Sequence, residues 1–237
     1  MRAPITRIFV DLLLESGGAL ELPAGEAHHV LKVLRGREGD LVEVVDGAGC
    51  LFVAELRGGR GADVMDKLAL AGSEEVRVSL YQAVPKGGRM DLVVEKATEV
   101  GVSTIVPLLA ERGVVNPREG KVGRWRRVAE AAARQSLRLR VPEVRDPVPF
   151  ERAVREVGEA GVLLHKGSGL EAVEAVVVSP VGLFVGPEGG WSESELRLAR
   201  EAGFAFAGLG PYRLRSETAG IVAVARARAA VECRVRS

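Results

Sequence analysis

Two cysteines, Cys50 and Cys233, are too far apart in the sequence to build a disulfide framework, and neither has a neighbouring cysteine or histidine at zinc-binding spacing. Both are expected to be buried, inert thiols. Histidine is scarce too: His28, His29 and His165 are not spaced as metal ligands with nearby acids, and no H-E-x-x-H occurs. No metal site is expected. With the G-x-x-x-x-G-K-[ST] loop missing as well, kinase, nucleotide-triphosphatase and zinc-hydrolase readings lose most of their weight. No apolar run approaches the roughly 18 residues of a membrane-spanning helix. The start, MRAPITRIFVDLLLESGG, lacks a small-residue cleavage site after its apolar stretch. A cytoplasmic protein with no membrane partner is the expectation. Asn116 is the sole asparagine and arginine outnumbers lysine, which fits a thermophile or a GC-rich genome equally and carries no function. There are no internal repeats and no low-complexity tracts.

What is present is enough apolar material for a real core: 47% of 237 residues are hydrophobic, room for one large domain or two unequal ones. The first seventy or so residues read as β-rich, with the apolar runs RIFVDLLL, DLVEVVDGAG and CLFVAELRGG separated by glycine-containing turns. One helix interrupts them. GEAHHVLKVLRG puts Ala27, Val30, Leu31 and Leu34 on one face and His29, Lys32 and Arg35 nearer the other. LAGSEE is a polar joint that places a domain boundary near Gly72. From Val76 the pattern alternates strand and helix: VRVSLYQAV, the loop PKGGR, then MDLVVEKATEVG with Met90, Val93, Val94, Ala97 and Val100 at helical spacing, then VSTIVPLL. A second long helix spans about Val122 to Leu137 and PFERAVREVGEAG supplies a third. VLLH, GLFVG and FAFAGLG read as strands that end in glycine-rich or polar turns. ETAGIVAVARARAAVECRV closes the chain as a helix with a small-residue face, suited to the core or to an interface.

The net charge of +1 does not announce a polyanionic partner. Its distribution is more informative, because Arg118, Lys121, Arg124, Arg126, Arg127, Arg134, Arg138 and Arg140 face only Glu119 and Glu130 along the same stretch. Such a run can hold phosphates, although a solvated helix face would carry the same charges. HKGSGLEA has Gly167, Gly169 and Ala172 in dinucleotide-fingerprint spacing after a strand, a weak match because it does not open the sheet. LFVGPEGGWSESEL is an apolar strand running into glycines and then a capping box, Ser192 to Glu195. A similar turn lies at Leu209 to Thr218, in LGPYRLRSETAG, and a third at His165 to Gly169. One glycine-rich turn is most simply a tight turn. Three at strand ends of one sheet converge on one crevice.

The ordered set PKGGRMDLVVEKATEVGV, ERGVV, RQSLR with VP, VGPEGGWSESE and LGPYRLRSETA, preceded by TRIFV and HHVLKVLRGREGD, resembles bacterial 16S ribosomal RNA (uracil-N3)-methyltransferases of the SPOUT, or α/β-knot, superfamily. The resemblance spans essentially the whole chain. It implies an α/β fold with a C-terminal trefoil-knot methyltransferase domain, residues 73–237, and a small N-terminal PUA-like β-barrel that binds RNA, residues 1–72. It implies S-adenosylmethionine as cofactor, a homodimer, and 16S ribosomal RNA or the small ribosomal subunit as partner. Carried over to this sequence, the cofactor pocket is Leu164 and His165, then Gly186, Glu188 and Gly190, then Leu209, Leu214, Ser216, Thr218 and Ala219. Arg215 and Arg7 are candidates to stabilise an anionic uracil, with Glu217 as base; a phosphate contact for Arg7 and a helix-start carboxylate for Glu217 fit equally well. Arg7, His29, Arg35, Lys86, Arg89, Arg134 and Arg138 are the candidate RNA contacts. Gly113, Arg134 and Ser216 stand where the family more usually has serine, glutamate and alanine. Two other readings remain open on the residues alone: a noncatalytic RNA-binding module, and an oxidoreductase using GSGLEA.

Overall fold

The computed structural model describes residues 3–70, 76–114, 117, 120–167 and 170–235. The expected boundary near Gly72 lies outside them, as do Asn116, Arg118, Glu119 and Gly169. The chain divides into two units, Met1–Glu74 with Ala133–Arg140, and Glu75–Ala132 with Val141–Ser237.

The first unit holds β1 (Arg7–Phe9), β2 (Ala19–Glu21), a short α1 (Ala24–Ala27) that widens into a π-helical turn (His28–Val33), β3 (Leu41–Val45), β4 (Cys50–Leu56) and β5 (Gly61–Leu70). The strands pair in the order β1-β3-β4-β5-β2, with β1 and β3 parallel and the other pairs antiparallel. Alternation decides what goes inside: in LVEVV, Val42 and Val44 are fully buried while Glu43 turns outward. Ile8, Leu22, Val30, Phe52, Ala54 and Leu56 complete that core.

Three expectations need correction. Cys50 is buried, but Cys233, on the solvent side of the closing helix, is exposed. RIFVDLLL is not one strand. β1 stops at Phe9, and Leu12 and Leu13 are exposed, because Asp46 draws the chain into a turn by accepting the Leu14 N–H while Leu12 O accepts from Gly47. Leu34 does not sit on the buried helix face. The π-turn, in which Leu34 N–H reaches back to His29 O, rotates the phase after Val30 and leaves Val33 and Leu34 exposed.

The second unit contains β6 (Val78–Ala83), α2 (Met90–Glu99), β7 (Thr104–Leu109), most of α3 (Lys121–Gln135), β8 (Glu143–Val144), β9 (Val148–Pro149), α4 (Phe150–Val157), β10 (Gly161–Leu164), β11 (Glu171–Ala172), α5 (Val173–Val176), β12 (Val181–Val185), α6 (Glu193–Glu201), β13 (Ala205–Gly208) and α7 (Ser216–Val235). Its sheet is parallel, in the order β11-β13-β10-β12-β6-β7-β8, with β9 also on β7. Both faces are covered, which is why these strands read as continuous apolar runs. Leu80, Leu164 and Leu183 point to the face packed with α2, α5 and α7, whereas Tyr81, Leu163 and Phe184 point to the face of α4 and α6. On the latter face Phe184 stacks on Tyr81 at 4.4 Å and meets Phe204 edge-on at 4.8 Å. Met90, Val93, Val94 and Ala97 are buried on α2, as their spacing requires. The small-residue face of α7 belongs to the core: Ala223, Val224 and Ala227 are fully buried and Val231 nearly so.

The fingerprint reading of GSGLEA loses its geometry. Its last two residues, Glu171 and Ala172, are themselves the short strand β11, and α5 after them is a single turn, so the segment does not open a helix of the length a dinucleotide turn needs.

Candidate active site

β13, β10 and β12 are neighbours and parallel, so their C-terminal ends lie along one edge of the sheet. The three turns singled out from the sequence leave from those ends. Together they line a cleft of about 790 Å³, within the range of small-molecule sites. The strand order explains the meeting: β6 leads to β7 on one side, while β10 and β13 lie on the other and β12 fills the slot between.

Leu164 and His165, Gly186, Glu188 and Gly190, and Leu209, Leu214, Ser216 and Ala219 all line the cleft, and so does Arg215. Thr218 is exposed and Glu217 buried, and neither is in the lining. Lys166, Arg213 and Arg215 are exposed there, and among the described residues no hydrogen bond or ion pair engages their side chains. Among the described residues Glu188 is the only acidic one in the lining, and its Oε1 accepts the Lys86 N–H at 3.1 Å. The rim is therefore positive and the inner wall apolar, through Leu164, Val185, Trp191 and Leu214.

Several groups fix the turns. Gly210 has φ +112°, a conformation open to glycine and strained for other residues, and it swings the third turn back over the strand end. A Cβ on Gly186 would sit 3.0 Å from the Trp191 ring, whose Nε1 donates to Leu164 O at 3.0 Å. One indole thus ties the second turn to the end of β10. The expected capping box is present: Ser192 Oγ accepts from Glu195 N, and the Glu195 carboxylate accepts from Ser192 N. Glu111, from the turn after β7, accepts from Ser192 Oγ at 2.7 Å and Ser194 Oγ at 2.8 Å. Those two hydrogen bonds hold its carboxyl below the usual carboxylate range.

Ser216 is committed to the protein. Its hydroxyl donates to Gly186 O at 2.7 Å and accepts from Gln82 Nε2 at 2.9 Å, joining the third turn, the second turn and β6. Gln82 is fully buried, and among the described residues its Oε1 has no hydrogen-bond partner; a Cβ on Gly220 would clash with it. Sequence reading missed Gln82, Trp191 and Glu111. The available signal for the first was one amide in the otherwise apolar run SLYQAV, which has to find partners when buried.

The proposed catalytic and RNA residues fall in different places. Glu217, 5% exposed, has Oε1 3.4 Å from Arg89 Nε, and among the described residues its buried Oε2 has no hydrogen-bond partner. Lys86 is exposed beside Arg89 in the turn before α2. Arg7, in the first unit, is 8% exposed and holds Glu43 through Nε at 2.8 Å while donating to Leu137 O. Also in that unit are Arg134, which pairs with buried Glu26, half-buried His29 and Arg138, and exposed Arg35 at φ 58°.

The matches with known proteins agree with this layout. A family model described as an RNA methyltransferase domain matches residues 72–228, and one described as an RNA methyltransferase PUA domain matches residues 22–63. The ribosomal RNA small subunit methyltransferase E of Synechocystis is 33% identical over 89% of this chain and 73% of its own. The chain belongs to the ribosomal RNA small subunit methyltransferase E family. Two solved structures are also similar. A Legionella pneumophila methyltransferase with bound cofactor SAM has TM-score 0.86 and 32% identity, covering 97% of this chain and 99% of that one. The family's Neisseria gonorrhoeae member, bound to S-adenosyl methionine, has TM-score 0.83 and 28% identity, covering 95% and 98%.

Proposed function

We propose that this chain methylates N3 of a uridine in 16S ribosomal RNA, with S-adenosylmethionine as methyl donor. The observation that carries this is the single cleft built from three turns at adjacent strand ends, apolar within and cationic at its rim. Its volume and its glycine and apolar walls fit an adenosyl group: backbone approaches closely at Gly186 and Gly190, Leu164 and Leu214 offer apolar surface, and Glu188 faces the positive charge of such a ligand.

S-adenosylmethionine supplies a methyl group already activated on a sulfonium, so the chain's task is to position and to manage charge. Uracil N3 carries a proton and becomes nucleophilic only when it leaves. Arg215, free at the rim, stabilises the negative charge that then spreads over the uracil carbonyl oxygens. Glu217, buried directly behind the lining residue Ser216, is the group assigned to accept the proton. Among the described residues its Oε2 has no hydrogen-bond partner and so has acceptor capacity to spare, while Oε1 lies 3.4 Å from Arg89 Nε. Ser216 and Gln82 hold the second and third turns in register. The rim cations Lys166 and Arg213, with Lys86, bind RNA phosphates.

The reading extends to residues 1–72 as a PUA-like RNA-binding domain, grouped with Ala133–Arg140 in the first unit; Arg35 and His29 of the former and Arg138 of the latter contact RNA, while Arg7 and Arg134 shape that surface through Glu43 and Glu26. Residues 73–237 form the knotted methyltransferase domain of a cytoplasmic homodimer that requires no metal; among the described residues no helix is long and apolar enough to cross a membrane. Isothermal calorimetry tests the core of it. S-adenosylmethionine should bind at one site per chain and a nicotinamide cofactor should not; RNA binding with no S-adenosylmethionine binding would leave a noncatalytic RNA-binding module.

A further inference from the structure

The chain is poor in aromatics, 4% of residues, and it spends nearly all of them on its cores. Phe52, Tyr81, Trp125, Phe150, Phe184, Trp191 and Phe204 are buried, and Phe9 and Phe206 are half-buried. Tyr212 alone stands in solvent, 84% exposed. It lies in the third turn, two residues beyond Gly210, and belongs to the lining of the cleft with Arg213 and Arg215. Nothing in the fold uses its ring or its hydroxyl: among the described residues it has no hydrogen bond and no ring contact. An apolar ring held in water beside unpaired cations has a clear chemical complement, a flat polarisable surface on a polyanion.

We propose that Tyr212 is a stacking platform for an unpaired nucleobase flanking the target uridine, an inference that rests on the RNA methyltransferase reading of the same cleft. The target's own ring has to enter the cleft to reach the methyl donor and Arg215. Tyr212, at the outer rim, is placed for the next base along the strand. Stacking suits that position because every base presents a π-face, while Lys166 and Arg213 take the adjoining phosphates. Single-stranded RNA whose bases are splayed outward matches both features at once. Tyr212 is thus a positioning residue: it sets the register of the strand and takes no part in proton or methyl transfer.

The test compares wild type, Tyr212→Ala and Tyr212→Phe in methyl transfer and in RNA binding by fluorescence anisotropy. The probe is a single-stranded oligoribonucleotide copied from the modified segment, together with versions carrying an abasic residue on either side of the uridine. The alanine variant should raise KM for RNA and weaken RNA binding on the order of 10-fold, with kcat little changed, and the phenylalanine variant should restore both. With the base absent from the stacking side, wild type and Tyr212→Ala should become equal. Equal KM and binding for the two proteins on intact RNA would overturn the proposal, and so would an alanine defect that persists on both abasic probes. Loss of self-association in Tyr212→Ala without RNA would make the ring a protein interface and also overturn it. Should wild type transfer no methyl group, the underlying reading fails, and the anisotropy comparison still decides whether Tyr212 stacks.

Discussion

At the scale of single residues, Arg215 and Ser216 are sequence neighbours with opposite tasks. Arg215 is exposed at the rim with no partner among the described residues, so its charge is available to a reacting base. Removing one such electrostatic stabiliser typically costs about 100- to 1,000-fold in kcat. Arg215→Ala should show a fall of that order, measured by steady-state methyl transfer, while calorimetric affinity for S-adenosylmethionine stays close to wild type. Comparable losses in both would contradict the role. Ser216 instead faces inward, between Gly186 O and Gln82 Nε2. Ser216→Ala strands Gln82 Nε2 with Ala83 O and leaves Gly186 O without its donor, which should destabilise the protein by about 1–3 kcal/mol. Urea unfolding would register this as a lower midpoint at unchanged slope, and an unmoved midpoint would show that the bridge carries no stability. The sequence displayed both residues in LRSETA. It could not display that the serine's partners come from more than a hundred residues earlier, in SLYQAV, and from the preceding glycine turn.

At the scale of elements, local pattern and local chemistry agreed wherever an element's partners were near in sequence. The stripe on α2 and the capping box of α6 follow from spacing alone. Failures came where a distant group intervened or where a helix changed its winding. Asp46 ends the RIFVDLLL strand early, and the π-turn after His28 rotates Leu34 off the core. Glu111 is another distant partner, since it clamps Ser192 and Ser194 at the start of α6 across eighty residues of chain. Its carboxyl is lowered chiefly by the Ser192 hydrogen bond and next by that of Ser194. A carboxylate with a depressed folded pKa stabilises the fold fully above its unfolded value, and this support is lost as pH falls through the lowered folded one. Titration of the Glu111 side-chain carbonyl by NMR should therefore give a midpoint below that of a free glutamate, and Ser192→Ala should move it up. A midpoint at the ordinary value would mean the clamp is not formed in solution.

At the scale of the whole molecule, the two-part organisation shows in the change from strand runs to alternating strands and helices around residues 70–76, and the structure divides the chain at Glu74 while returning Ala133–Arg140 to the first unit. That return is invisible to composition, because a helix sequence does not say which core its last turn joins. The parallel sheet was legible from the alternation. Its order was not, since the placement of β12 between β10 and β6 depends on crossovers and not on any strand's own residues. Yet that order is what gathers three separate glycine-rich turns into one cleft, and with it the activity. The most direct test supplies purified protein, S-adenosylmethionine with a labelled methyl group, and small-subunit RNA from a strain lacking this gene, and then maps the product by mass spectrometry. The account predicts label on N3 of one uridine, strongly reduced with Arg215→Ala. Label on a different base or atom, or no transfer by a protein that binds the cofactor, would contradict it.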